Sequence, residues 1–167
     1  MCSSNDLIYM KEALAVAKES LASEDVPVGC VIVKDGEIVG RGFNTRERDG
    51  SALGHAEINA IAEACRALGG WRLSGCTMYV TLEPCTMCAG AIVSAKLDRV
   101  VVGAKDPKAG AMGSVISVNS YPLNHKPRVE YGLCREECSA ILTEFFSRRR
   151  EENKQKRGSV SKSRQTK

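Results

Sequence analysis

Apolar residues near the start of the chain recur with the spacing of a helix. Five of them lie three or four positions apart, which is the pattern of an amphipathic helix. They are Leu7, Met10, Leu14, Ala17 and Leu21. A polar Ser-Ser-Asn stretch precedes them and can supply an N-cap, so we predict that the first helix spans residues 6–23.

The pattern then changes to that of strands. Two apolar runs at about 28–33 and 37–43 flank Asp35 and Gly36, a dipeptide that suits a tight hairpin turn. The stretch HAEINAIAEACRALGG returns to helical spacing and ends in a Gly-Gly pair that stops a helix. These patterns predict a β-hairpin followed by a helix that begins near His55.

The rest of the patterned chain alternates between strands and helices. The predicted elements are a strand at 76–82, a helix at 84–95, strands at 99–105 and 128–131, and a last helix at about 135–152. Such alternation predicts a sheet that is covered by helices on both faces.

The size and composition are those of one globular domain with a single core: 167 residues, of which 43% are apolar. No apolar run is long enough to span a bilayer, and the first residues lack the segments of a secretory signal. We therefore predict a cytoplasmic protein without membrane association. Residues 1–152 are expected to form the domain, and residues 153–167 a basic, disordered tail.

The net charge of +4 is unevenly distributed along the chain. Residues 148–167 hold nine Lys or Arg and two Glu, whereas the remainder is slightly acidic. Basic segments bind polyanions because each Lys or Arg that meets a phosphate releases counterions. A tail that only increases solubility has the same composition, so charge alone leaves both interpretations open.

Eight cysteines are present, but disulfide frameworks are typical of small secreted domains. Reduced thiols or metal ligands are therefore favoured. Cys30, Cys65 and Cys76 have apolar neighbours and are predicted to lie in the core. Cys134 and Cys138 lie four apart on a helical pattern with no further ligand close in sequence, which predicts core positions or partial exposure.

Cys85 and Cys88 form a Cys-x-x-Cys motif in the first turn of a predicted helix. At this spacing both sulfurs project from one side of the helix and can hold the same ion. The positive end of the helix dipole also favours the thiolate form that zinc requires. The motif alone fits a redox pair or half of a structural zinc finger equally well.

His55 also lies at the start of a predicted helix, and one strand separates the two helices. A helix–strand–helix unit can bring both helix starts to one edge of the sheet. One His and two Cys make an open zinc site, because three protein ligands leave the fourth tetrahedral position for water. The other histidine, His125, lies in a loop-like stretch far along the chain, so the open set is favoured over a closed Cys2His2 site.

Glu57 lies two residues after this histidine, in the same helical turn. Zinc lowers the pKa of a bound water to about 7, and a nearby carboxylate can accept its proton and deliver it elsewhere. An isolated glutamate here would be interpreted as a charge that stabilises the helix N-terminus. Beside this ligand set, we predict that Glu57 is a catalytic proton shuttle.

The combination of HAE at 55–57 with PCTMC at 84–88 is the signature of the zinc nucleobase deaminases. Other stretches extend the likeness in order: DVPVGCVIV, GRGFN, TLEPCTMCAGAI, RVVVGAKDPKAGAMGS and EECSAILTEFFSRRR. Over roughly residues 6–152, the chain resembles the bacterial tRNA-specific adenosine deaminase family.

This resemblance implies a cytidine-deaminase-like α/β fold, a three-layer α/β/α sandwich around a mixed sheet of about five strands. It also implies a homodimer with one zinc ion per subunit, and conversion of adenosine to inosine at the wobble position of an arginine tRNA. The tRNA anticodon stem-loop is then the expected partner. The resemblance also assigns zinc binding to His55, Cys85 and Cys88, and proton transfer to Glu57.

Further site residues follow from the resemblance. Asn44 matches the residue that hydrogen-bonds the target base, and its amide can both donate and accept; as an isolated residue it also fits a turn. Ala56 offers its backbone N–H at the helix start.

The loop that contains Lys105, Asp106 and Lys108 resembles the lining of the RNA channel, with a solvated polar loop as the alternative. Phe146 is the aromatic residue expected to stack on a splayed nucleotide, and Arg149 is placed to contact phosphate.

Two other functions fit part of this pattern. A guanine or cytidine deaminase would share the metal chemistry without needing the basic last helix. A non-catalytic, zinc-stabilised RNA-binding module would need neither an open coordination position nor Glu57. Departures from the family at Cys30 and in SALGHAE affect the expected shape of residues 45–54 but not the ligands.

Overall fold

The computed structural model describes residues 4–164, and the side chains of residues 5–157. Its five strands are β1 (Gly29–Lys34), β2 (Glu37–Phe43), β3 (Thr77–Leu82), β4 (Arg99–Ala104) and β5 (Arg128–Tyr131). Its α-helices are α1 (Ser4–Ala17), α2 (Arg46–Asp49), α3 (Ala56–Leu68), α4 (Thr86–Ser94) and α5 (Arg135–Arg164). Short 3-10 helices span Lys18–Ser23 and Val118–Ser120.

The strands form one mixed sheet in the order β2-β1-β3-β4-β5. β1 is antiparallel to both neighbours, whereas β3, β4 and β5 are parallel. Alternate side chains of the central strands enter two separate cores. Ile32, Met78 and Val100 pack with α3 and α4, and Val31, Tyr79 and Val101 pack with α1 and the start of α5. The predicted three-layer α/β/α sandwich with five strands is confirmed.

The local signals for the hairpin and for the end of α3 are confirmed. Asp35 and Gly36 have φ values of 50° and 85°, the left-handed pair that a two-residue hairpin turn requires. Gly69 caps α3 with φ 69°. The hairpin turn and the end of α3 both depend on residues that are close in sequence, so local patterns predict them.

Other boundaries were predicted wrongly. The α-helical part of the first helix ends at Ala17 and continues as the 3-10 helix. The last helix continues to Arg164 instead of ending near 152, whereas the division of the chain into a domain of residues 1–152 and a tail of residues 153–167 stays a prediction. The Glu, Lys, Gln and Arg residues of this segment are strong helix formers, and Arg148 pairs with Glu152 one turn on. The residues before Ser4 and after Arg164, and with them part of the predicted N-cap, lie outside the described residues.

Within the described residues, no helix combines the length and the apolar composition needed to cross a membrane.

Helix α3 lies directly against β2 because β2 has glycine where the two backbones meet. A Cβ on Gly42 would overlap the carbonyl oxygen of Ala56 and lie 2.5 Å from the backbone nitrogen of Ala60. The close approach sets the depth of the first turn of α3 relative to the sheet. That turn contains the predicted site residues His55 and Glu57.

We expect Gly42→Ala to destabilise the protein by about 2 kcal/mol, the cost of overpacking a tight contact. The backbone atoms of α3 cannot rotate out of the way as a side chain could. Urea unfolding would measure the change in the free energy of unfolding. Gly70→Ala is the matched control, since a Cβ there meets nothing within 4 Å; an equal loss in both variants would contradict the prediction.

Candidate active site and metal centre

One edge of the sheet gathers the predicted site residues. The ends of β2, β3 and β4 and the beginning of β1 meet there, as the strand registers require. Helices α3 and α4 both begin at this edge, with His55 and Cys85 as their N-cap residues. The chain topology therefore places the two motifs side by side, although 30 residues separate these two side chains.

The three predicted metal ligands converge at this edge. The Nδ1 atom of His55 lies 3.7 Å from Sγ of Cys85 and 3.5 Å from Sγ of Cys88. Zinc–sulfur and zinc–nitrogen bonds of normal length at a tetrahedral angle give a separation of about 3.6 Å. All three ligand atoms lie within 4.8 Å of one another, so they can bind one tetrahedral ion and leave its fourth coordination position open.

The structure excludes the closed Cys2His2 site, because His125 lies far from the other three residues. Nε2 of His125 lies 2.6 Å from the carbonyl oxygen of Leu97, just before β4 begins. That position is at the opposite edge of the sheet from the ligand set. In the described part of the chain, the one group suited to a metal ion contains three residues. The site is therefore open in the manner of catalytic zinc sites.

The two sulfurs share a proton in a way that favours metal binding. A hydrogen bond from the Cys88 thiol is the largest reason why the pKa of Cys85 falls to about 5, and backbone N–H groups of the helix start add to it. The same hydrogen bond and burial raise the pKa of Cys88. A metal ion would replace this proton, because zinc binds thiolates.

Glu57 lies beside the ligands but is not one of them. Its side chain is buried, with 4% exposed, and contacts the Cys88 thiol. Burial is the main reason why the pKa of Glu57 rises to about 7. A carboxyl group in that range can both accept and donate a proton near neutral pH.

A cavity of about 320 Å³ opens over these residues. It is of the size of small-molecule binding pockets, which are about 300–1,000 Å³. Eight of the predicted site residues line it: Asn44, His55, Ala56, Glu57, Cys85, Asp106, Phe146 and Arg149. Buried Cys88 and the two lysines, Lys105 and Lys108, do not. Lys105 places its ammonium 4.9 Å from the ring centre of Tyr131, and Lys108 is exposed.

Asn44 is held in one orientation by the backbone. Its Nδ2 donates to the carbonyl oxygen of Val26 at 3.1 Å, and its Oδ1 accepts from the N–H of Arg46 at 3.1 Å. A side-chain amide has two donor hydrogens and two acceptor positions. One of each remains, which a ligand in the cavity can use.

Three residues of α5 line the cavity: Phe145, Phe146 and Arg149. Phe146 is 44% exposed and meets buried Phe145 edge-to-face, with 5.4 Å between ring centres. Arg149 pairs with Glu24 through a 2.9 Å contact and is 40% exposed. An exposed pair of this kind contributes little to stability, so Arg149 can exchange Glu24 for another anion.

Two buried acids at this edge, Asp25 and Glu83, were not predicted from the sequence. Asp25 accepts from the backbone N–H groups of Glu47 at 2.6 Å and Arg48 at 3.1 Å, and thereby supports α2. Glu83 is 2% exposed and accepts hydrogen bonds from the loop after β4. The sequence offered one signal for Glu83, namely an acidic residue between the apolar strand β3 and the Pro-Cys motif. The hydrogen-bond partners of Glu83 lie far along the chain, so the sequence alone could not identify them.

Comparisons with known proteins agree with this geometry. The family model for the cytidine and deoxycytidylate deaminase zinc-binding region matches residues 3–104. The tRNA-specific adenosine deaminase of Bacillus subtilis (strain 168) is 45% identical over 157 residues, which cover 93% of this chain and 98% of that protein.

Two solved structures extend the comparison. A structure from a study of A-to-I editing by tRNA:A34 deaminases at the wobble position of transfer RNA is 43% identical, with a TM-score of 0.78, and the match covers 81% of this chain and 99% of that one. A guanine deaminase from Bacillus subtilis is 31% identical, with a TM-score of 0.57, and the match covers 70% of this chain and 85% of that one.

Proposed function

Since this chain belongs to the zinc-binding cytidine and deoxycytidylate deaminase family, and within it to the tRNA-specific adenosine deaminases, we propose that it converts adenosine to inosine at the wobble position of a tRNA anticodon. The reaction consumes water and releases ammonia. The observation that carries the proposal is a buried carboxyl, Glu57, beside an open three-ligand metal set at the floor of a cavity.

The ligand set fits zinc in donor type and spacing. When held by His55, Cys85 and Cys88, zinc supplies a Lewis acid that makes water reactive near neutral pH. Glu57 accepts the proton that this water loses and delivers it to N1 of the adenine ring. The water oxygen bonds to C6, and Glu57 then carries the second proton of that oxygen to the amine; the C6–N bond breaks, ammonia leaves, and a C6 carbonyl remains. Burial of Glu57 keeps bulk water from competing for these protons.

Binding of the base uses groups that line the cavity. The remaining hydrogen-bonding positions of Asn44 suit the donor and acceptor groups of a purine edge, and the N–H of Ala56 belongs to the first turn of α3, where helix N–H groups have no partner within the helix. Phe146 offers an exposed ring on which a neighbouring base can stack. An unpaired anticodon nucleotide can enter at modest cost, because loop bases are already partly unstacked.

A comparison of substrates tests the proposal. The protein is incubated separately with an anticodon stem-loop, adenosine, cytidine and guanine, and ammonia and inosine are measured. We expect inosine from the stem-loop at a rate far above that from free adenosine. Turnover of guanine or cytidine, with none of the stem-loop, would replace the proposal with a free-base or nucleoside deaminase; binding of RNA without any ammonia would indicate a non-catalytic module.

We expect Arg149→Ala to weaken binding of the stem-loop several-fold and to lower the salt dependence of log K by about 0.7–1, as loss of one phosphate contact predicts. Anisotropy titrations of a labelled stem-loop at several salt concentrations measure both. Arg148→Ala is the matched control, since Arg148 pairs with Glu152 instead of the cavity-side Glu24. Equal effects in the two variants would contradict a specific role for Arg149.

The finer expectations from the sequence stay predictions. They are the homodimer, the cytoplasmic location, the preference for an arginine tRNA, and RNA contacts by Lys105, Asp106 and Lys108.

A further inference from the structure

We propose that Glu83 is a positioning residue for the substrate: it holds the loop of residues 105–114 against the cavity and thereby sets how tightly RNA binds, without taking part in the chemical step. The inference deepens the proposed function and rests on it.

The carboxylate of Glu83 is bonded entirely to this loop. Its Oε2 accepts from the N–H of Asp106 at 3.1 Å and from the hydroxyl of Ser114. Its Oε1 accepts from the N–H of Met112 at 3.1 Å and of Ser114 at 3.0 Å. One side chain therefore satisfies three backbone donors and one hydroxyl that are spread over nine residues of chain.

Backbone hydrogen bonds also join the loop to the segment that contains Glu83. The N–H of Glu83 donates to the carbonyl oxygen of Ala104 at 2.9 Å, and the N–H of Ala111 donates to the carbonyl oxygen of Pro84 at 2.8 Å. Gly110 allows the close fit, since a Cβ there would lie 2.5 Å from the carboxyl carbon of Glu83. The loop is thus joined to the segment that leads directly into Cys85.

The charge of Glu83 favours a specific role over simple packing. Its side chain is 2% exposed, and no ion pair reaches it within the part of the chain that the structure describes. A buried carboxylate is costly unless hydrogen bonds replace its hydration, and these four bonds do so. An apolar residue could fill the space, but it could not direct the three loop N–H groups toward one point.

The loop connects Glu83 to the ligand side of the site. Asp106 and Ala109 line the cavity together with Glu83. The Oδ1 atom of Asp106 accepts from the N–H of Lys108 at 2.8 Å and of Ala109 at 3.2 Å, so the hydrogen bond from Asp106 N–H to Glu83 anchors a turn that is already rigid. Without this anchor the turn can leave the cavity wall while Glu57 and the metal ligands keep their places.

The main test is Glu83→Gln, assayed with the zinc-loaded protein and an anticodon stem-loop. The amide replaces one oxygen by an NH2 group that cannot accept from the loop N–H donors, so one or two of the three backbone hydrogen bonds are lost, depending on which oxygen is replaced. We expect KM for the stem-loop to rise about tenfold or more, as loss of hydrogen bonds to a buried charge predicts, while kcat changes less than about threefold. Zinc content should stay equal to that of the unmodified protein.

If Glu83→Gln folds poorly, variants of the loop residues test the same inference. Ser114→Ala removes one of the four donors and should raise KM by a smaller factor; Ser120→Ala is its control, because the Ser120 hydroxyl bonds the carbonyl oxygen of Ser117. Asp106→Ala combined with Ser114→Ala should give less than the product of the two single effects, since both act through the same turn.

Hydrogen exchange separates this inference from the proposed function. In Glu83→Gln, the amides of Asp106, Met112 and Ser114 should lose protection, whereas those of β3 should keep it. If the unmodified protein does not deaminate the stem-loop, the proposed function fails, and the exchange result still decides whether Glu83 positions the loop. Unchanged exchange, loss of zinc, or a fall in kcat at constant KM would each overturn the inference.

Discussion

We expect Glu57→Gln to abolish turnover of the stem-loop while zinc content and folding stay normal. Glutamine has nearly the size and shape of glutamate, so the buried position of Glu57 remains filled. It cannot accept a proton from water or deliver one to N1 of adenine. Removal of one general acid–base group costs about 10²–10⁴-fold in rate, and here the same group serves two proton transfers, which places the loss at the upper end. Glu57→Ala should lose turnover equally.

The measurement is single-turnover inosine formation together with zinc analysis of the same sample. Glu63→Gln is the matched control, since Glu63 lies on the same helix but not on the cavity. If the Glu57 variants worked at a near-normal rate, another group would have to move the protons, and the assigned role of Glu57 would be wrong.

We expect Cys88→Ala to lose zinc and turnover together. The Cys88 sulfur is fully buried and lies 3.5 Å from Nδ1 of His55, so its removal takes one of the three candidate ligand atoms out of the group. With only His55 and Cys85 left, we expect zinc content to fall from about one ion per chain to a small fraction, because catalytic zinc sites need three protein ligands. Activity should fall in proportion to zinc.

Elemental analysis of dialysed protein, with thermal unfolding in parallel, checks this expectation. Cys138→Ala is a suitable control, because Cys138 is also buried but packs on the opposite face of the sheet, with α1. The control should keep its zinc. Full zinc occupancy in Cys88→Ala would contradict the assigned ligand set, and loss of zinc from both variants would mean that the loss reflects unfolding.

Much of the fold could be predicted because the signals are local. The hairpin at Asp35 and Gly36 requires only two residues that tolerate positive φ, and the end of α3 requires one such residue. The alternation of strands and helices predicts the three layers, since each element exposes an apolar face that must be covered. The end of α5 could not be predicted from composition, because the same charged residues favour a helix and a disordered tail.

In the candidate site too, some features could be predicted from the sequence and others could not. The chemistry of His55, Glu57, Cys85 and Cys88 could be inferred from residue type and spacing, because each motif places its side chains within one helical turn. Which loop residues face the cavity could not be inferred. Asp106 lines it, whereas its neighbour Lys105 turns toward the ring of Tyr131.

By itself, then, the sequence determined the types of element and pointed to the candidate metal donors and the acid beside them, since these depend on neighbours within a few residues. Only the tertiary structure decided that Glu83 and Asp25 hold the walls of the site, because their partners lie 22–31 residues away. Hydrogen bonds over such separations form only after the sheet has brought distant loops to one edge, and no local pattern records them.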